Sequence, residues 1–145
     1  MKTTILGILF ILFVSACQPP VDVAQVKKDI FNTEKDFEKM TREKGIVEAF
    51  YFYAAASAVI KRENDSLIIG KENIRKYYLA QDISKAQVNW SPDYIDVSDD
   101  GTMAYTYGSY LWKIPDSDST FVAYKGVFHT VWKKQADGRW KYVWD

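Results

Sequence analysis

The chain is poor in the residues that usually announce a chemistry. It has one cysteine, Cys17, and one histidine, His129. A single thiol permits no internal disulfide, and two such residues cannot supply the ligand set of a transition-metal centre. It also lacks a charge surplus: 19 Lys and Arg stand against 19 Asp and Glu. Proteins that neutralise phosphates carry a basic patch, so nucleic acid is not an expected partner. Glycines are few and form neither a phosphate-cradling loop nor a nucleophile elbow, which excludes nucleotide-driven chemistry and the common serine-hydrolase plan. No cofactor and no metal are expected. Asp116-Ser117-Asp118 starts like a calcium loop but lacks the following glycine and the terminal glutamate, and reads as an exposed hairpin loop. The longest apolar run, Ile5 to Val14, falls well short of the roughly 20 residues that cross a bilayer.

That run is nevertheless informative. Lys2 precedes it, and the small residues Ser15 and Ala16 lead directly into Cys17, the layout of a secretory signal with a lipoprotein-type cut. Val14-Ser15-Ala16-Cys17 resembles the bacterial lipobox, whose first position is usually Leu. The resemblance implies residues 1–16 as a signal peptide and lipid on Cys17, with further acylation of the new amino terminus; residues 17–21 form a stiff linker. Two or more acyl chains anchor a domain firmly where one does not. The expected address is the cell envelope, facing the periplasm. Gln18 lacks the acidic character that retains some lipoproteins in the inner membrane, which favours the outer one.

Residues 22–145 are the size of one domain with one core. Asp22 and Gln25 read as a capping box. Val26, Ile30, Thr33, Phe37 and Met40 then step by three and four residues as the buried stripe of a helix that Gly45 closes with a left-handed cap. A short second helix spans 46–53, with a strand from Ala54, a turn at Asn64-Asp65, a strand at 67–69 and a third helix over 71–80. From Val88 onward the pattern changes to period two. Asp99-Asp100-Gly101 and Ala136-Asp137-Gly138 separate alternating runs and mark hairpins. Helices first and an antiparallel meander behind is an α+β layout. Thirteen aromatic residues lie between Trp90 and Trp144, more than a small core usually holds. That excess points to a lined cavity, a subunit contact, or both.

Four stretches in order, Glu43-Lys44-Gly45-Ile46-Val47-Glu48-Ala49-Phe50, Ile69-Gly70-Lys71-Glu72-Asn73-Ile74-Arg75, Gly126 to Lys134 and Asp137-Gly138-Arg139-Trp140-Lys141, resemble the nuclear transport factor 2-like (SnoaL-like) superfamily, in its domain-of-unknown-function 4440 branch. The resemblance implies a conical, cystatin-like α+β fold with three helices on a curved, mostly antiparallel sheet, a pocket at the wide end and often a homodimer. It does not imply one activity, because the superfamily holds isomerases, cyclases, hydrolases and non-catalytic binders. Relatives of this branch commonly carry paired aspartates in the first strand. Here that place reads Ala56-Ser57-Ala58-Val59, which argues against an acid-base mechanism.

His129 is the first candidate for a proton carrier near neutral pH. It shares a strand face with Val127 and Val131, which points it inward, as a catalyst, a pocket residue or a core residue. Glu48 is the nearest replacement carboxylate. Arg62, just past the first strand, could clamp an anion. Tyr105 and Tyr107 occupy one face of their strand, and Tyr110 and Trp112 the other. The expected pocket comprises Tyr53, Arg62, Trp90, Tyr105, Tyr107 and His129. Three functions follow: a membrane-tethered binder of a small, partly apolar ligand, without catalysis; an isomerase or hydrolase using His129 and a tyrosine; or an interaction module with an exposed aromatic sheet face.

Overall fold

The computed structural model describes residues 20–116 and 120–145. The expected signal peptide, Cys17, Gln18 and residues 117–119 of the expected hairpin loop lie outside the described residues. Helix α1 (Val23–Lys44) starts where expected: Asp22 Oδ1 accepts from the Gln25 amide at 3.0 Å. The Gln25 side chain does not reach back, however, and donates instead to Asp29 at 2.8 Å. Arg42 and Lys44 in the last turn complement the helix dipole. Gly45 ends the helix at the positive φ of 89° that favours glycine, though its ψ of 157° is not that of the expected left-handed helical cap. Helix α2 (Ile46–Tyr53) follows at once. Then come strands β1 (Ala54–Arg62) and β2 (Ser66–Ile69), helix α3 (Lys71–Leu79), and strands β3 (Gln87–Val97), β4 (Met103–Pro115), β5 (Phe121–Lys134) and β6 (Trp140–Trp144). No helix among the described residues is long and apolar enough to cross a membrane.

The six strands form one curved, unclosed sheet in the order β2-β1-β6-β5-β4-β3, antiparallel except for the β1/β6 pair. Helices cover one face. Phe37 of α1 is the hub of the core, with ring centroids at 4.8 Å from Phe50, 4.8 Å from Tyr53, 4.9 Å from Trp90 and 6.0 Å from Tyr142. The buried stripe of α1 is rotated from the expected one. It runs through Val26, Ile30, Glu34, Phe37, Glu38 and Thr41, while Thr33 and Met40 are only half-buried. Two glutamates thus enter the interior because donors await them there.

Alternation along β4 decides what faces the helices. Ala104, Thr106 and Gly108 are buried, and Tyr105 and Tyr107 between them are exposed. In β5 the inward residues are Phe128, Thr130 and Trp132. A bulge at Asp93 shifts the register of β3 against β4 between Pro92 and Tyr94. Trp90 therefore faces inward while Tyr94 joins Tyr105 and Tyr107 outside. Opposite the bulge only glycine fits at 108, since a Cβ there would lie 2.2 Å from the Ser91 carbonyl oxygen.

Candidate functional site

The long β4/β5 hairpin extends past the helices, so its inner face is left with rings that have no helix to cover them. Between that face, the start of β3, and helices α2 and α3 lies a cavity of about 670 Å³. That is within the range of about 300–1,000 Å³ typical of small-molecule sites. Its walls are aromatic: Phe37 and Phe50 behind, Trp90, Tyr110, Trp112 and Phe128 on the sheet, and Tyr77 and Tyr78 from α3. Tyr110 lies across its partner strand because residue 126 is glycine; a Cβ there would stand 2.5 Å from the tyrosine oxygen.

Lys61, Glu63 and Gln81 also line the cavity, and one buried polar cluster centres on Arg62. Arg62 at the end of β1 meets Asp145 just after β6, with Nη2 to Oδ1 at 2.7 Å, because β1 and β6 are neighbours in the sheet. Its Nε and Nη2 both donate to the Tyr78 hydroxyl, at 3.0 and 2.5 Å. Nη1 donates to the Lys61 carbonyl at 2.7 Å and to the Asp145 carbonyl oxygen at 3.4 Å. The other Asp145 oxygen accepts from Thr130 at 3.2 Å. The guanidinium also lies over the rings of Phe50 and Tyr78, at 5.7 and 5.6 Å from their centroids. Burial opposes the positive charge, but Tyr78 and Asp145 outweigh it and hold Arg62 above its ordinary value. Burial also raises the Tyr78 phenol, against the pull of Arg62.

Behind the wall, Glu34 is 1% exposed. It accepts from Trp90 Nε1 at 2.8 Å, Trp132 Nε1 at 2.8 Å and Thr106 Oγ1 at 2.5 Å. Burial dominates and raises its pKa despite these three donors, and Asp145 adds to the rise. Trp90 therefore presents its ring to the cavity while its N–H is fixed from behind.

The expected pocket is only partly assembled. Trp90 and Arg62 line it. Tyr53 does not: its ring packs on Phe37, Phe52 and Trp132 on another side of the core. Burial and the nearby Asp36 push its phenol up to about 12. Tyr105 and Tyr107 are on the opposite sheet face, because the inward parity of β4 belongs to Thr106 and continues into Tyr110 and Trp112. His129 pairs with Tyr107 across β4/β5 and shares that outer parity, so the inward orientation expected for it is corrected. His129 borders the cavity through its place in the strand, but its exposed ring packs on Tyr105 at 5.8 Å. Among the described residues, no carboxylate or hydroxyl is hydrogen-bonded to it. Glu48 pairs with Arg75 at 2.8 Å on the surface. No group of three or more His, Cys, Asp or Glu side chains could hold a metal among the described residues.

The residues that sequence reasoning missed are Tyr78, Asp145, Thr130 and Glu34. Glu34 had a usable signal, since it stands four residues after Ile30 and three before Phe37 on the buried stripe. Asp145 had none, because its partner is 83 residues away.

No family model and no curated protein matches the chain. Solved structures do. A protein with a cystatin-like fold of the nuclear transport factor 2-like kind from Novosphingobium aromaticivorans superposes with a TM-score of 0.68 at 13% identity, over 83% of this chain and 79% of that one. A protein from Catenulispora acidiphila in complex with S-DNPA gives 0.63 at 13% identity, over 83% and 90%. The association domain of C. elegans CaMKII gives 0.64 at 18%, over 83% and 92%. Likeness at such identities is a statement about backbone, and it agrees with the element order, sheet topology and cavity described above: this chain has the nuclear transport factor 2-like, cystatin-like fold.

Proposed function

We propose that the protein is a cell-envelope lipoprotein, tethered through Cys17, whose domain binds a small, partly apolar ligand without catalysing its conversion. The observation that carries the reading is the aromatic cavity of about 670 Å³, in which Arg62 and Asp145 neutralise each other. A cavity walled largely by rings, with a buried polar cluster at Arg62 and Asp145, suits a ligand with an apolar body and a polar group. The solved complex of the Catenulispora acidiphila protein supports ligand binding in this fold. His129 borders the cavity, but its ring packs on Tyr105 at the outer sheet face, which weakens the isomerase or hydrolase alternative.

Two measurements test the reading. A neutral bicyclic probe, 2-ethylnaphthalene, should quench tryptophan fluorescence saturably at one site, and Trp112→Ala should weaken binding severalfold; absence of saturation sinks the binding role. Separately, mass spectrometry of the amino-terminal peptide from the native envelope should carry the mass of lipid on Cys17, and Cys17→Ser should release the protein into the soluble fraction. An unmodified Cys17 in the native protein rules out the tether.

A second reading, self-association, rests on a different observation. Tyr94, Tyr105, Tyr107 and Val127 are 41, 38, 42 and 74% exposed on the outer sheet face. The rings of Tyr94 and Tyr107 stack at 5.2 Å, forming a flat apolar platform. We assign this face to a second copy of the chain, a role in keeping with the backbone likeness to an association domain.

A further inference from the structure

We infer that the ligand is a single-chain amphiphile: an acyl chain of about sixteen carbons, laid along the inner face of the β4/β5 hairpin, with its polar head at the end of β1. This rests on the ligand-binding reading and names the ligand class of the same site.

The cavity is long for its volume. Its β5 wall runs from Thr130 to Tyr124, six steps along a strand, or roughly 20 Å at about 3.4 Å per residue. A volume of about 670 Å³ spread over that length leaves a mean cross-section of roughly 34 Å², about 6 Å across. The space is thus a slot about three times as long as it is wide. It also follows a curved sheet, which a flexible chain can track and a rigid linear ring system cannot. An extended chain advances about 1.3 Å per carbon, given zigzag bonds of about 1.5 Å, so roughly sixteen carbons span the slot.

Polarity changes along the same axis. The charged lining residues Lys61, Arg62, Glu63 and Asp145 gather where β1 and β6 end. Toward the hairpin loop the wall is Trp112 and Tyr124, paired across the strands, and the next inward pair, Ile114 and Val122, continues the strip. Tyr124 and Val122 are 54 and 42% exposed. A chain laid over this strip takes apolar surface of both partners out of water, and affinity then grows with chain length. At the polar end a guanidinium has five N–H groups and no acceptor. In Arg62 all five are directed at protein oxygens: two at Tyr78, one at the Asp145 carboxylate, and one each at the Lys61 and Asp145 carbonyl oxygens. The anion clamp expected of Arg62 therefore has no donor left for a ligand. Among the lining residues there the two cations are matched by two anions, so the head is held by its polarity and not by a net charge.

Saturated lysophosphatidylcholines from octanoyl to eicosanoyl, whose head carries no net charge, serve as probes below their micelle concentrations, with 2-ethylnaphthalene as the compact control. Fluorescence titration of the full chain should show affinity rising about twofold to fourfold per methylene up to hexadecanoyl and staying level from there to eicosanoyl. The hexadecanoyl probe should bind roughly tenfold or more tighter than 2-ethylnaphthalene. Tyr124→Asp puts a charge on the strip at an already exposed position. It should end the rise near dodecanoyl, since two residues of strand, about 7 Å, are lost to the chain. A rise that ends at decanoyl or shorter, a rise that never levels, hexadecanoyl binding no tighter than 2-ethylnaphthalene, or a profile that Tyr124→Asp leaves unchanged overturns the inference while the cavity reading stands. Failure of 2-ethylnaphthalene to bind overturns the cavity reading, and this inference with it. Should Tyr124→Asp not fold, the wild-type chain-length profile decides alone.

Discussion

Replacing Glu34 with glutamine should change the pH dependence of stability in a way that exposes the state of the buried carboxyl. In the native protein Glu34 is surrounded by Trp90, Trp132 and Thr106, and burial raises its pKa above the ordinary 4.5. A group whose native pKa is raised holds its proton longer in the folded chain than in the unfolded one. Stability is therefore greatest at and below pH 4.5 and falls as pH rises toward the native value, by about 1.4 kcal/mol per pH unit inside that window. Glutamine cannot titrate. It also cannot satisfy the site: one carboxamide position becomes a donor, and whichever way it turns it faces the indole N–H of Trp90 or of Trp132. One buried donor left without an acceptor costs about 1–3 kcal/mol. Glu34→Gln should thus be the less stable protein near pH 4.5. The deficit should shrink as pH rises, because only the wild type is losing stability to this group. Glu38 acts in the opposite sense: burial opposes its charge, but Lys35, Asn89 and Arg42 together lower its pKa, so its contribution is lost as pH falls below 4.5. It is present in both proteins and cancels in the difference. Urea unfolding followed by circular dichroism at half-unit steps between pH 4.5 and 7.5 measures that difference directly. Parallel stability curves for the two proteins would refute the argument.

Other expectations come from the same packing. Gly126→Ala should push Tyr110 off the sheet, lowering stability by about 1–3 kcal/mol and weakening naphthalene binding; wild-type melting and binding would show that the ring moves aside freely. Asp145→Asn removes the counter-ion of a guanidinium that is 22% exposed and should cost about 3 kcal/mol. Pairing it with Arg62→Met should recover part of that loss, and a double variant less stable than Asp145→Asn alone would refute the pair's role. Val127→Lys on the outer platform should shift sedimentation velocity from dimer to monomer without altering the far-ultraviolet spectrum. A monomeric wild type would remove the association face.

The amino-acid pattern alone determined a great deal of this protein. Asp22 capping α1, the period-two runs after Val88, and the Asp-Gly and Ala-Asp-Gly turns are local devices whose energies act over a few residues, so they are legible without a tertiary structure. They give the order of three helices and six strands, and hence the fold class. The site was not legible in the same way. β4 carries rings on both faces, Tyr105 and Tyr107 on one and Tyr110 and Trp112 on the other, so alternation identifies two sets without saying which is inside. The packing of α1 made that choice, because Glu34 needs Thr106 and the indoles of Trp90 and Trp132 on its own side of the sheet. The bulge at Asp93 then turned Tyr94 outward. Arg62 reads in sequence as a free cation beside Lys61 and Glu63; only the adjacency of β1 and β6 gives it Asp145, and only α3 gives it Tyr78. Local preference set the elements, whereas burial of a few polar groups that must find partners far along the chain set the cavity.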